Sequence, residues 1–299
     1  MSPNEPSFRL SLVVATLGRS DELARLLASL AAQTISGFEV IIVDQNSDDR
    51  VLGPIAQHAE SLEIVHVRTP RKGVCRARNL GASMARGEWL MFPDDDCWYP
   101  DDLLERYRQV TEATPADFHC GRATNAVGQT IMGTFESHPV RIRRGNVWTT
   151  LIEWMLTVRK DDFTAAGGFD ERIGPGSGTP WGAYEVQDFV LTLLERGLAG
   201  RYDPMLAGHH PEDMTDQTVP ANIAKIRCYS AGLGYVMRKH GFGLSGFLPR
   251  LLRPLAGMSI YALTGRPAMA RRSQQILAGR WDGWRKAAGL RQDILRVES

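Results

Sequence analysis

Residues 10–16 (LSLVVAT) form a short, β-branched and almost wholly apolar run, the pattern of a central parallel strand covered on both faces. A helix is expected next: Ser20 can cap it, Asp21 and Glu22 sit in its first turn, and Leu23, Leu26, Leu27 and Leu30 recur at helical spacing. The alternation then repeats. Residues 38–44 (FEVIIVD) predict a second buried strand, 54–59 a helix, 62–67 (LEIVHV) a third strand and 76–85 a further helix. Gly87 restarts the chain into a fourth strand over 88–92 (EWLMF), which ends at Pro93 and three aspartates. Strand and helix in turn predict an α/β fold with an open, doubly wound, mainly parallel sheet whose ligand site lies beyond the carboxyl ends of the strands. Three polar clusters fall on that rim: 16–19 after the first strand, 44–49 after the second and 94–96 after the fourth.

Past the middle of the chain the pattern loosens. Gly167-Gly168 and the run from Gly174 to Gly178 predict loops, and helix resumes near Tyr184 with Val186, Phe189, Val190, Leu193 and Leu194 on one stripe. From Lys225 onward the sequence is helical and amphipathic. Two domains are expected, 1–224 as the α/β domain and 225–299 as a helical extension, with no internal repeat.

Composition changes this picture in one respect. The chain has 35 Lys and Arg against 34 Asp and Glu, but 14 of the cations and only 3 of the acids lie from Lys225 onward. The first 224 residues therefore carry about −10 and the extension about +11. Either the basic tail docks on an anionic membrane surface or it complements the acidic domain. Four cysteines, Cys75, Cys97, Cys120 and Cys228, show neither zinc-ligand nor disulfide spacing, so a reducing, cytoplasmic setting is expected, peripheral at the inner face of the membrane if the tail docks there. No stretch reads as a leader or a membrane span, and no nucleic-acid partner is expected.

Candidate chemistry gathers on the rim. A short acidic turn at a strand end supplies hard oxygen ligands for Mg2+ or Mn2+, which usually take one or two protein carboxylates plus phosphate oxygens, and Asp94 and Asp96 are the candidates. Capping of a turn is the competing role. Asp44 can accept a hydrogen bond from a base or ribose, or serve the turn 44–48. Arg71, Lys72, Arg76 and Arg78 can contact a diphosphate, or line a solvated helix face. Glu185 and Asp188, at a helix start after a glycine-rich loop, suit a general base, or simply complement the helix dipole. The pair His209-His210 offers imidazole as a metal ligand or phosphate contact, or a surface feature.

Six pieces, in order, resemble the inverting glycosyltransferases of family 2, which have the GT-A fold. They are Val14-Ala15-Thr16-Leu17-Gly18-Arg19, Val43-Asp44-Gln45-Asn46-Ser47-Asp48-Asp49, Gly73 to Ala82 (GVCRARNLGA), Gly87 to Asp96 (GEWLMFPDDD), Gly167-Gly168-Phe169-Asp170-Glu171, and Glu185 to Leu191 (EVQDFVL). Each alone is weak and the ordered set is specific. The resemblance implies transfer of a sugar, with inversion, from a UDP- or dTDP-sugar to a hydroxyl of a saccharide or lipid-linked saccharide in cell-surface polysaccharide or glycolipid synthesis. It implies a donor site of Thr16, Arg19, Asp44, Arg78, Asp94 and Asp95, and a Mn2+ or Mg2+ ion on Asp96 and Asp94, with His209, or else His210, as a metal or phosphate ligand. It also implies a base at the helix start. The family usually has two adjacent acids where this chain has Glu185-Val186, so Glu185 is expected as base, with Asp188 behind it. A nucleotidyltransferase, or a nucleotide-sugar-binding protein without catalysis, are the other readings.

Overall fold

The computed structural model describes residues 9–212, 216 and 219–297, with side chains as far as residue 287. Met1-Ser2-Pro3-Asn4-Glu5-Pro6, read above for a leader, lie outside the described residues. The chain divides into two compact units. Unit 1 comprises 1–72, 76–169 and 189–212; unit 2 comprises 73–75, 170–188 and 213–299. The expected boundary at 224 falls inside a helix, Pro220–Lys239, and the glycine-rich segment belongs with the C-terminal helices.

Unit 1 holds the whole sheet. Its strands are β1 (Leu10–Thr16), β2 (Phe38–Asp44), β3 (Glu63–Arg68), β4 (Trp89–Met91), β5 (Phe118–Thr124), β6 (Val140–Ile142), β7 (Thr157–Arg159) and β8 (Gly200–His209), in the order β3-β2-β1-β4-β7-β5-β8-β6. β1 to β4 are mutually parallel, as the alternation predicts, and β7 runs antiparallel between β4 and β5. The order reverses beside β1, where β2 and β4 flank it, and this is the switch point at which doubly wound sheets bind ligands.

The helices follow from the same pattern. α1 (Asp21–Ala31) buries Leu23, Leu26, Leu27 and Leu30, the four leucines at helical spacing. α2 (Leu52–His58), α3 (Val74–Met84) and α4 (Leu103–Ala113) complete the crossovers. α3 lies close on the sheet because Gly81 has no side chain: a Cβ there would meet Val13 Cγ1 at 2.4 Å and Val43 Cγ2 at 3.0 Å. A short helix, α5 (Lys160–Ala165), follows β7, and Phe92, Phe163, Phe169 and Phe189 then pack ring on ring with centroids 4.9–5.4 Å apart. Helix α6 (Glu185–Glu195) belongs by its first turn to unit 2 and by the remainder to unit 1.

Unit 2 is built on α7 (Pro220–Lys239), α8 (Leu244–Leu263) and α9 (Pro267–Val297). α7 and α9 touch backbone to backbone: a Cβ on Gly234 would lie 2.0 Å from the carbonyl oxygen of Arg280, and one on Gly283 would lie 1.9 Å from that of Ala231. Phe247 of α8 stacks on Trp284 of α9 at 4.2 Å, and Trp181 stacks on Tyr235 at 4.6 Å. Among the described residues no helix is long and apolar enough to cross a membrane.

Candidate functional site

β1 and β2 end level, with Thr16 paired to Asp44, and a bridge between Ala15 and Asp94 draws the chain after β4 alongside them. The three polar clusters thus share one rim. Asp44 is fully buried there; its Oδ1 accepts from the backbone N–H and side-chain amide of Asn46 at 2.9 and 2.8 Å, and its Oδ2 faces His66 Nε2 at 3.1 Å and Arg68 Nε at 3.4 Å. Burial alone would raise its pKa, but these hydrogen bonds, those from Asn46 foremost, hold it below the usual carboxylate value.

The acidic run is neutralised from three directions. Arg78, 1% exposed, donates to Asp94 Oδ1 at 2.6 Å. Arg19, 43% exposed, pairs with Asp95 and reaches Asp96 Oδ2 at 2.6 Å. His210 Nε2 lies 3.1 Å from Asp96 Oδ1. Burial raises the pKa of Asp94 against the pull of Arg78, and it pushes Asp95 up to about 6 against that of Arg19. Asp96 is lowered, because the hydrogen bond and charge of His210 outweigh its burial.

Of the two histidines, His210 is the one the structure places beside the acidic run, and His209, expected at the metal with Asp94 and Asp96, has other partners. His209 turns the other way: its Nδ1 lies 2.9 Å from Thr124 Oγ1, its ring 5.6 Å from that of Trp98, and its backbone exchanges hydrogen bonds with Trp98 at 2.8 and 3.0 Å. His210 stacks on Trp154 at 5.0 Å, and its Nδ1 lies 2.7 Å from the carbonyl oxygen of Pro211. With the Nδ1 proton given to that carbonyl, a neutral ring presents the Nε2 lone pair toward Asp96. The hydrogen bond and charge of Asp96 outweigh burial and raise the pKa of His210.

Among the described residues no group of three or more His, Cys, Asp or Glu side chains is arranged to hold a metal ion. The chemistry of the Asp96 carboxylate and the His210 imidazole, 3.1 Å apart, does suit a divalent cation that draws its other ligands from phosphate. Beside the pair opens a depression of about 430 Å3 lined by Trp98, Asn125, Val127, Gln129, His210 and Glu212. Trp98, two residues past the acidic run, also carries the Arg25 guanidinium 4.1 Å over its ring. None of Trp98, Trp154 or Arg25 stood out in the sequence, where an isolated tryptophan gives no sign of what it will face.

In unit 2, Glu185 and Asp188 share the first turn of α6 and are both buried. Their surroundings differ. Asp188 is gripped at both oxygens, Oδ2 by Lys239 Nζ and Oδ1 by His240 Nε2, each at 2.8 Å, and Lys239 also binds Asp170 at 2.9 Å. Glu185 follows Tyr184, whose φ of 78° lies in the left-handed region that bulky residues avoid, and strain of this kind gathers at functional sites. Gly174, itself at φ 92°, lies against Glu185: a Cβ there would come within 3.2 Å of the Glu185 carboxyl carbon. Val186 is buried and apolar.

The sequence profile of glycosyl transferase family 2 matches residues 11–152. An uncharacterized glycosyltransferase of Haemophilus influenzae is 40% identical over 193 residues, which cover 62% of this chain and 62% of that protein. The likeness thus spans less than two thirds of that relative's own length. Among solved structures, residues 1–349 of Staphylococcus aureus TarS in complex with UDP-GlcNAc superpose with a TM-score of 0.56 at 16% identity, over 95% of this chain and 92% of that one. The mannosyltransferase PcManGT of Pyrobaculum calidifontis, in complex with GDP-Man and Mn2+, gives a TM-score of 0.59 at 16% identity over 95% and 88%. At such identities the likeness is one of fold, and the fold is the GT-A α/β fold expected above. The family likeness thus rests on residues 11–152, which match the glycosyl transferase family 2 profile.

Proposed function

We propose that this protein is an inverting glycosyltransferase that moves a sugar from a nucleoside diphosphate sugar to a hydroxyl of a saccharide acceptor, in cell-surface polysaccharide or glycolipid synthesis. The observation that carries the reading is the buried acidic run at the switch point, held in charge balance by Arg19, Arg78 and His210. A diphosphate brings anionic oxygens that compete for those arginines. Arg19, the exposed one, is free of packing constraints that would stop it turning from Asp95 and Asp96 to a phosphate; Arg78, fully buried, holds Asp94 in place. Asp96 and His210 would hold Mn2+ or Mg2+, which supplies positive charge to the departing diphosphate. The depression beside Trp98 suits a sugar ring, with an apolar wall and the amides of Asn125 and Gln129 at its edge. TarS and PcManGT, of the same fold, are solved with UDP-GlcNAc and with GDP-Man and Mn2+, which supports a nucleotide-sugar donor here.

Glu185 serves as the base that takes the acceptor's proton. Asp188, with both oxygens bound, acts as a brace for the helix start. The apolar Val186 keeps a second reading in view, a nucleotide-sugar-binding protein without catalysis.

The test is calorimetric titration with UDP, dTDP and GDP in Mn2+ and again in EDTA, for the wild type and Asp96→Ala, followed by donor-hydrolysis and transfer assays on Glu185→Gln. Binding that needs both metal and Asp96, and transfer that fails in Glu185→Gln while donor binding persists, is the expected result. Absence of nucleotide binding sinks the donor site. Full activity in Glu185→Gln removes that residue as base.

A further inference from the structure

Helix α8 has two unlike faces. Phe247 and Pro254 are buried, and with the half-buried Leu251, Met258 and Tyr261 they form the stripe that packs in unit 2, Phe247 against Trp284. Leu244, Leu248, Leu252 and Leu255, spaced by four, four and three residues, lie on one other face and are 54%, 49%, 62% and 45% exposed. Ile260 and Leu263, at 56% and 89%, continue the apolar surface to the end of the helix. Scattered exposed leucines need no explanation, but six large apolar side chains bared along one 20-residue helix do.

The stretch of chain that carries them has charge of one sign. From residue 217 to 281 there is no Asp or Glu, and the stretch carries ten Lys and Arg. Arg253 on α8, Arg266 just after it and Arg271 on α9 are exposed. A second copy docking through the same face would bring like charges together, which opposes a symmetric pair; an anionic bilayer surface presents the complementary charge to the arginines and an acyl boundary to the leucines. The helix is about 30 Å long at 1.5 Å per residue, yet it carries Arg250 and Arg253 and two prolines and is not apolar enough to span, so it fits the interface plane.

We infer that α8 is an in-plane docking helix through which this protein binds an anionic lipid bilayer, with Leu244, Leu248, Leu252, Leu255 and Leu263 entering the acyl boundary and Arg253, Arg266 and Arg271 contacting headgroups. This assignment stands apart from the glycosyltransferase reading, and Trp284, buried against Phe247, takes no part in the exposed surface.

The experiment is co-sedimentation of the full chain with vesicles of phosphatidylcholine alone and with about one third phosphatidylglycerol, at 50 and 300 mM salt. The wild type is expected to bind only the anionic vesicles, and more weakly at the higher salt. Leu248→Ser/Leu252→Ser, at exposed positions that leave the packed stripe intact, is expected to lose at least about tenfold in affinity. Arg253→Ala/Arg266→Ala/Arg271→Ala is expected to lose on the order of a hundredfold, about fivefold per headgroup-facing cation. Circular dichroism and a melting curve confirm that both variants stay folded. Equal binding to neutral vesicles, no binding to anionic ones, or unchanged binding by the folded leucine variant overturns the inference. So does a wild type that dimerises through these leucines without binding lipid.

Discussion

His119 on β5 is the most exposed to test of the buried groups, in the sense that its cost can be worked out in advance. The residue is completely buried, its ring lies 5.8 Å from that of Trp89, and among the described residues neither ring nitrogen has a hydrogen-bond partner. Burial, helped by the charges of Arg201 and Arg159 and opposed only by Asp117, pushes its pKa down from 6.5 to about 4. A group whose folded pKa lies below its unfolded one is protonated first in the unfolded chain, so unfolding gains protons as the pH falls from 6.5 toward 4. At ~1.4 kcal/mol per pH unit across that gap, the fold loses about 3 kcal/mol to this one side chain. His119→Phe keeps a ring against Trp89 and removes two unsatisfied polar atoms, so it should be neutral to stabilising at pH 7 and should gain on the wild type by about 1 kcal/mol per pH unit below 6.5. Urea unfolding followed by tryptophan fluorescence at pH 7, 6, 5 and 4.5 measures the gap between the two proteins. A gap that stays constant from pH 7 to 4.5, or an NMR titration of the His119 ring near 6.5, refutes the reasoning.

Three other outcomes are expected. His210→Ala should weaken Mn2+ binding in the presence of nucleotide by on the order of 10–100-fold while His209→Gln changes it little; calorimetric Mn2+ titration decides, and equal losses would remove His210 as ligand. Glu39 receives Ser11 Oγ at 2.6 Å, the Arg86 N–H at 2.6 Å and the Arg86 guanidinium at 2.8 Å, which together outweigh burial and hold its pKa below 4.5. Its contribution is therefore present above pH 4.5 and lost as the pH falls through the lowered value, and because Arg86 is exposed and keeps Glu63, Glu39→Ala should cost ~1–3 kcal/mol in urea unfolding at pH 7, with a gap to the wild type that narrows in acid. Gly283→Ala drives a methyl into the Ala231 carbonyl and should cost ~1–3 kcal/mol or more in thermal unfolding, whereas Lys286→Ala, exposed on the same helix, should stay within ~0.5 kcal/mol.

The charge balance at the rim bears on how such a site rests between ligands. Burial foremost, with the charge of Asp96 adding to it, makes Asp94 and Asp95 resist ionisation, and their raised pKa values express that cost. Arg78 and Arg19 offset it from opposite degrees of burial, one locked and one half in solvent. On the proposed function, the buried Arg78 stays in place and the exposed Arg19 is the one that exchanges partners.

The hydrophobic runs of β1 and β2, the leucine spacing of α1 and the placing of polar clusters after strands are local facts, and periodicity alone was enough to read the parallel half of the sheet and the rim from them. The other half was not legible. β5 (FHCGRAT) and β8 (GRYDPMLAGH) interrupt their apolar residues with charge, glycine and proline, and they are strands because β7, β6 and each other supply partners from distant sequence. The same limit decided between the histidines. Neighbouring residues at a strand end face opposite ways, so His209 and His210 were equivalent on paper, and only the pairing of β8 with β5 sends one to Thr124 and the other to Asp96. Asp188, placed behind Glu185 as base from the sequence, has both its oxygens taken by Lys239 and His240 of α7, which no local pattern announces. Sequence by itself determined which segments fold as strand and helix and which end of the sheet is polar, because those follow from short-range period and burial. Tertiary structure alone decided which acids are held and which histidine meets the acidic run, because a side chain's partner is set by register and by contacts between residues far apart in the chain.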